Sequence, residues 1–428
     1  MSVLSITEND TSNEKLKNEL GNIINKIENN TENKIIVLPK NREEAEKHEF
    51  KFWGKQDVLQ LNKYATVPKM CNSEVIPAES QQKMHEPYEW ARYDIMNETE
   101  MNRVVSFINM QYNDGNNNKY VQVYTVKYLR WLLSDSPIII GVRAKTGGNI
   151  GAISCIKTSE MQLYNKRHNT ASVEIFCVHK KLRQKGVAEL LMNETKRVVL
   201  SERDIKIGKF MTQVYVPTPV CKIEYYHRPI NYGKLNRLNY VSIKSDTNNQ
   251  TVGESFMITT KNTACEKLTE SNIEKAYELL CEYQDKYNIY ESYTLEKFMK
   301  TFYDNEEISS YVLLDNNKNI IDFVSYSKFI LRDRDVKTED LTNENTIRVA
   351  KMHTYTSNTM TPLMIYKNTV ISANNEGIDL FTTTDMMENL EILYDNFSRF
   401  TKGNISLYVN FYNWECKEIS PEQLYIYA

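Results

Sequence analysis

Val173-Glu174-Ile175-Phe176-Cys177-Val178-His179-Lys180-Lys181-Leu182-Arg183-Gln184-Lys185-Gly186-Val187-Ala188 is the stretch on which the reading of this chain turns. An apolar strand runs into a basic turn, and a glycine and a small residue then open a helix predicted from Gly186 to about Ser201. A helix N-terminus presents unpaired N–H groups and a partial positive charge, which suits a pyrophosphate. Gly186 and Ala188 let such an anion come close to the backbone. Lys180, Lys181, Arg183 and Lys185 place four cations within six residues of one another. The pattern Arg183-x-x-Gly186-x-Ala188 is common by itself, and a solvated basic helix entry is its ordinary meaning. The strand before it, the helix after it and the cluster of charge point instead to anion binding.

Working outward from this segment, the chain repeats itself. In its first half a predicted helix (101–110) precedes Tyr124-Thr125-Val126-Lys127-Tyr128-Leu129. A hairpin follows, from Ile138 to Arg143, turning at Gly147-Gly148-Asn149 and returning through Ile156. Its second half has a predicted helix (273–283), then Tyr293-Thr294-Leu295-Glu296-Lys297-Phe298, then Tyr311 to Leu314, a turn at Asp315-Asn316-Asn317, and a strand from Ile320 to Tyr326. Each half continues as strand, connector, helix and strand: Ser172–Val178, Gly186–Ser201 and Phe210–Val216, then Ile347–Thr354, Pro362–Ala373 and Ile378–Phe381. Such self-similarity reads as a duplication. The connector of the second half, Thr356-Ser357-Asn358-Thr359-Met360, has neither glycine nor cation, so a single anionic ligand is expected, in the first half.

The bulk numbers allow this fold and exclude other classes. The 428 residues are 41% hydrophobic, enough for a substantial core, and the net charge of -3 creates no global field for nucleic acid. Seven cysteines stand singly without a C-x-x-C, as expected of free thiols in a reducing compartment. The six histidines show no ligand spacing, so no metal site is expected. No signal peptide or membrane span is expected, and the chain reads as a cytoplasmic monomer. Residues 1–46, rich in Asn, Glu, Lys and Thr, read as a flexible arm, with order beginning near Phe50-Lys51-Phe52-Trp53.

The loop motif is similar to the R/Q-x-x-G-x-G/A loop of GNAT-type acyltransferases, and the strand–turn segment resembles the N-F-L-C-V-H-K-K-L-R signature of the N-myristoyltransferase family. The resemblance extends over most of the chain. Phe52-Trp53-x-x-Gln56, Glu86-Pro87-Tyr88, Pro217-x-Pro219-Val220, Tyr225-x-His227-Arg228-Pro229-x-Asn231, Thr361-Pro362-Leu363, Asp385-Met386-Met387-Glu388-Asn389 and Tyr412-Asn413-Trp414 follow in the family's order. The resemblance implies an α/β (α+β) fold of two pseudo-symmetric GNAT-like halves in one compact unit around a mixed β-sheet. The boundaries expected are 47–217 for the acyl-CoA-binding half, 218–265 for a crossover and 266–428 for the half that binds peptide. It also implies transfer of a long-chain acyl group, myristoyl, from acyl-CoA to an N-terminal glycine, with no permanently bound cofactor.

For the site, the resemblance places acyl-CoA on Phe52, Trp53, Cys177, Val178, Arg183, Gln184, Lys185, Gly186, Val187 and Ala188. The oxyanion falls to the backbone N–H groups of Ile175 and Phe176, and the base is the C-terminal carboxylate of Ala428. The apolar alternation of Leu424-Tyr425-Ile426-Tyr427-Ala428 suits a buried end, although an edge strand with an idle carboxylate would look the same. Tyr112, Asp114, Tyr120, His227 and Asp385 are the expected peptide contacts. Departures gather near the chemistry. Glu174 stands where the family has Asn, as a charged acceptor or as a core-edge ion pair. The family's hydroxyl falls on Met211, with Thr212 adjacent as the candidate, and a slip of one residue would turn that side chain to the other face of the strand. The acidic loop Y-V-E-D-D-D is reduced to Tyr112-Asn113-Asp114-Gly115-Asn116-Asn117, and the late glycine signature to Arg399-Phe400-Thr401-Lys402-Gly403-Asn404. His353, in an apolar strand, reads as a hydrogen-bonded core residue. Two other functions fit the residues: an acyl-CoA or N-terminus binding protein that has lost turnover, and a GNAT-like enzyme acting on a different amine.

Overall fold

Side-chain caps mark where two helices of each half begin. In the computed structural model, which describes residues 38–78, 80–112, 118–134, 136–241, 249–395 and 398–427, Asn97 caps helix α1 (Glu98–Gln111) and Thr125 caps α2 (Val126–Leu132). Between them lies strand β2 (Tyr120–Val123), and β1 (Tyr88–Arg92) precedes them. The hairpin β3 (Ile138–Ala144) and β4 (Ile150–Leu163) then leads through β5 (Lys166–Val178) and α3 (Val187–Arg203) to β6 (Ile207–Thr212) and β7 (Cys221–Pro229).

The same order returns from β8 (Cys265–Lys267). It runs through α4 (Ile273–Gln284), β9 (Ile289–Glu291), α5 (Leu295–Phe302), β10 (Ile308–Leu314), β11 (Ile320–Asp333) and β12 (Thr346–Tyr355). Helix α6 (Pro362–Asn375), β13 (Leu380–Thr384) and β14 (Thr401–Tyr412) complete it, and β15 (Leu424–Tyr425) ends the series. Thr294 caps α5 as Thr125 caps α2, and Thr361 caps α6 with Pro362 at its first position.

The strands form one mixed sheet in the order β1-β3-β4-β5-β6-β14-β7-β13-β12-β11-β10-β8. This order is a palindrome of the repeat: equivalent strands stand at equal distances from its centre. The halves also exchange strands. β7 pairs with β13 while β14 pairs with β6, and β2 pairs with β11 while β9 pairs with β4. One apolar cluster therefore runs from Met101 to Ile426, drawing on both halves. No described helix is long and apolar enough to cross a membrane.

Each half carries the same irregularity. Cys155 faces Ile175 and Ile156 faces Val173, which leaves Glu174 as an extra residue in β5; Ser325 faces Thr354 and Tyr326 faces Met352, which leaves His353 extra in β12. A bulge bends its strand. Beyond it the parallel pairs part: β5 follows β6 only from Thr170 to Val173, and β12 follows β13 only from Val349 to Lys351.

Order extends further toward the N-terminus than the aromatic cluster at Phe50–Trp53. Asn41 caps a short helix, Arg42–Glu46, and Ala45 is buried in a small cluster with Tyr215 and Tyr408, whose rings meet edge-on at 5.1 Å. β6 stops at Thr212 rather than Val216. The stretch expected to cross between halves contributes β7 to the middle of the sheet.

The repeat differs in one telling place. Ala152 in β4 and Asp322 in β11 are equivalent, each beside a bulged residue, Gly151 or Ile321. Asp322 is fully buried and accepts the N–H groups of Asn358 (2.6 Å) and Met360 (2.7 Å) and the Thr356 hydroxyl (3.2 Å), with Thr359 N–H at 3.3 Å. The turn into α6 is thus closed by the chain's own carboxylate, whereas Ala152 offers the turn into α3 nothing. Replacing Asp322 by Ala should cost about 3 kcal/mol, because buried donors lose their acceptor, and Asn should recover part of that loss. Urea unfolding of the two variants checks this expectation.

Candidate active site

The turn into α3 is shaped by two left-handed residues, Gln184 (φ 61°) and Gly186 (φ 77°). A Cβ on Gly186 would meet no atom within 4 Å, so open space lies above it, while its φ disfavours any other residue. The first N–H groups of α3 face that space, and Lys180, Lys181 and Lys185 are exposed beside it. Arg183 serves differently from a simple phosphate cation. Its guanidinium donates to the carbonyls of Val178 (3.1 Å) and Gln111 (2.8 Å), and so ties the turn to the C-terminus of α1. The Gln111 side chain accepts Lys180 N–H at 3.0 Å from the other side.

Phe52 and Trp53 lie on the same flank. Trp53 stacks on Phe210 of β6 with centroids 5.0 Å apart, and Phe52 meets Trp53 edge-on at 5.2 Å. Lys196 of α3 donates to Gln56 at 2.5 Å and lies 5.8 Å from the Phe52 ring centre. Burial lowers the pKa of this lysine. The F-W-x-x-Q segment is therefore fastened to the helix that the turn at Gly186 opens.

From this turn the split between β5 and β6 leads inward. Ile175 and Phe176 pair with Cys155 and Ser154 of β4, and their other edge lies beyond the last residue paired to β6. Cys177 is buried, as packing requires, while Val178 is half-buried where the strand leaves for the turn. The split opens into a cavity of about 920 Å³ whose walls include Glu174, Met211, Tyr225, His227, Lys351 and Tyr427. Tyr112 and Tyr120 also line it. Burial pushes Tyr112 up to about 12. Tyr120 gives its hydroxyl to the Leu238 carbonyl.

His227 is held by Thr382, with Nδ1 3.0 Å from the hydroxyl, and burial pulls it to about 4, so its imidazole is neutral at pH 7. Gly403 presses against it: a Cβ there would stand 2.7 Å from Nε2, which explains why this glycine persists in an otherwise altered segment.

The structure separates the remaining candidates from this group. Met211, not Thr212, lines the cavity; the Thr212 hydroxyl donates to the Val214 carbonyl at 2.5 Å. Asp385 is not part of the lining, and its carboxylate accepts Glu224 N–H at 2.9 Å. Asp114 and Ala428 lie outside the described residues. His353 is buried as expected of a core residue, yet its Nδ1 has no hydrogen-bond partner among the described residues. It is held by stacking instead, on Tyr427 at 4.5 Å and against the edge of Phe302 at 5.1 Å, and burial pulls it to about 3.

Burial near the end of the chain was foreshadowed by its apolar alternation, while a lysine in the cavity wall escaped the sequence. The chain's end is clamped: Leu424, Tyr425 and Ile426 are buried, Tyr425 donates to the Tyr355 carbonyl at 2.7 Å, and Tyr427 reaches Ser327 at 2.8 Å. Lys351, a lysine inside the apolar run 347–354, points into the cavity and donates to the Tyr225 hydroxyl at 3.2 Å. The signal was present, since a cation in mid-strand needs somewhere polar to go.

Comparison with known proteins gives this geometry a lineage. The N-terminal domain model of the myristoyl-CoA:protein N-myristoyltransferase family matches residues 67–223, and the C-terminal domain model of the same family matches residues 238–424. The chain is 26% identical over 407 residues to a probable glycylpeptide N-tetradecanoyltransferase of Caenorhabditis elegans, covering 91% of this chain and 88% of that protein. It is 27% identical over 388 residues to the glycylpeptide N-tetradecanoyltransferase of Drosophila melanogaster, covering 88% and 80%. In fold it is similar to the Saccharomyces cerevisiae N-myristoyltransferase solved with bound myristoyl-CoA, with a TM-score of 0.79 and 20% identity over 87% of this chain and 94% of that one. With both domain models matched in order along the sheet of two exchanged halves, the chain belongs to the N-myristoyltransferase family.

Proposed function

We propose that this protein transfers a myristoyl group, or another long-chain acyl group, from acyl-CoA to the N-terminal glycine amine of protein substrates. The observation that carries the reading is the split between β5 and β6 in the first half. It joins a pyrophosphate-ready helix N-terminus at one end to a cavity holding the chain's own C-terminal segment at the other. In this reading residues 47–217 bind acyl-CoA and residues 266–428 form the peptide side and supply the base, with 218–265 between them. The protein works alone in the cytoplasm.

The pyrophosphate of acyl-CoA sits over Gly186 and Ala188, with Lys180, Lys181 and Lys185 supplying charge and Arg183 holding the turn in shape. The thioester lies in the split beside Ile175 and Phe176, whose N–H groups take the oxyanion; preorganised donors of this kind are commonly worth orders of magnitude in rate. The glycine amine enters from the cavity. Its free pKa is near 8, so it must shed a proton to react. The carboxylate of Ala428 takes one proton from the ammonium, and the neutral amine nitrogen attacks the thioester carbon. The C–N bond forms, and the C–S bond breaks as the second nitrogen proton passes to the leaving sulfur, which releases CoA as its thiol. Burial of Leu424, Tyr425 and Ile426, with Tyr427 in the cavity wall, supports a terminus delivered to this place. Glu174, on the bulge next to the oxyanion donors, suits an acceptor for the incoming ammonium.

A second reading, an acyl-CoA binding protein without turnover, is favoured by Met211, which puts a thioether in the cavity wall where a hydroxyl was expected.

Labelled myristoyl-CoA and a short peptide beginning with glycine should give acylated peptide, and an alanine-first peptide should not; saturable acyl-CoA binding without transfer would establish the second reading. Two residues added after Ala428 should abolish transfer and leave acyl-CoA affinity unchanged. Gly186→Val should weaken acyl-CoA binding at least tenfold in calorimetric titration, while its left-handed φ costs the fold only about 1 kcal/mol.

A further inference from the structure

The cavity contains a positive charge that acyl transfer as described above does not use. Lys351 is the last residue of β12 paired to β13, opposite Thr382, and its side chain enters the cavity where those strands part. Its ammonium donates to Tyr225 at 3.2 Å and lies 4.5 Å from the ring centre of Tyr427 and 5.2 Å from that of Tyr225. No carboxylate of a described residue stands within 4.0 Å of it.

The other lysines of the lining are matched. Lys119 pairs with Asp333 at 3.4 Å, and Lys402 pairs with Glu224. Ring contacts return less to a cation than the desolvation of an ammonium costs. Burial accordingly pulls Lys351 down to about 8, which still leaves it mostly protonated at pH 7. An ammonium has three donors, and one is taken.

Among the described residues the acid across the cavity is Glu174, whose field acts on Lys351 without contact. The cavity therefore has a negative wall beside the bulge of β5 and a positive wall on β12. A ligand that matches both carries a cation at its end and an anion close behind.

We propose that Lys351 makes this site select acceptor peptides bearing a carboxylate side chain within the three residues after the N-terminal glycine. The inference rests on the acyl-transfer reading. The terminal amine approaches Glu174 and the oxyanion donors, and the Asp or Glu side chain takes the remaining donors of Lys351. Three extended residues rise about 10 Å, which sets the reach from the amine into the cavity. A basic side chain at the same place meets a like charge and is rejected.

The test uses the full chain, labelled myristoyl-CoA and glycine-first peptides with Asp, Asn or Lys at the second, third or fourth position. At one of these positions Asp should exceed Asn in kcat/KM about tenfold or more, and Lys should fall below Asn. Lys351→Met should bring the Asp-to-Asn ratio close to one with acyl-CoA affinity unchanged, and Lys351→Arg should keep most of the preference. A ratio near one at all three positions in the unaltered protein overturns the proposal even if the Met variant does not fold, and so does a preference that survives Lys351→Met. Transfer to none of the peptides, with acyl-CoA bound, refutes the acyl-transfer reading itself and the selectivity with it. Transfer without selectivity refutes the selectivity alone.

Discussion

The parting of β5 from β6 is the constraint on which the site depends. A parallel pair would normally satisfy both edges of β5 along its length. Here the pair holds from Thr170 to Val173, and the bulge at Glu174 then turns the strand away. Backbone groups that a sheet would have consumed are left on an edge inside the protein. Such an edge is costly unless something polar fills it, and it is stable only because both ends are controlled. Arg183 and Gln111 hold the outer end, and the clamped residues from Leu424 to Tyr427 form the wall of the inner end.

Duplication supplied two such splits, and the halves resolved them differently. In the second half Asp322 donates a permanent carboxylate to the turn that corresponds to the anion loop. In the first half Ala152 supplies no such acceptor, and under the proposed function the turn is left to the phosphates of acyl-CoA. One methyl group set against one carboxylate, at equivalent places beside equivalent bulges, is the difference between the two turns. The second split is lined instead by Lys351 on the side of the acceptor cavity. Exchange of β7 with β14 and of β2 with β9 makes the halves inseparable, so a ligand in one is bordered by residues of the other.

Much of this was legible in the sequence, and the limits have physical causes. The strand, basic turn and helix around Gly186 could be read because three local signals agree, and the repeat because Tyr124-Thr125 and Tyr293-Thr294 cap matching helices. The exchanged strands could not be read, since pairing between residues hundreds of positions apart leaves no local pattern. Phe210 to Val216 reads as a continuous strand by composition, yet β6 stops at Thr212, where its hydroxyl turns back to Val214. Asp322 carries no local signal within the strand from Ile320 to Tyr326; only the fold brings Asn358 and Met360 to it. His353 was placed correctly in the core, but stacking replaces the hydrogen bond expected of it. Thr212 and Met211 differ by one residue, and thus by a whole face of the sheet.

Under the proposed function, two copies of one fold have been divided into a half that receives acyl-CoA and a half closed by its own carboxylate. The most direct test is the stoichiometry of binding, by isothermal titration of the full chain with a thioether analogue of myristoyl-CoA that cannot transfer its acyl group. One molecule bound per chain is the result this account requires. Two molecules bound with similar affinity would mean that Asp322 does not close the second turn, and none would mean that the turn at Gly186 is not a ligand site.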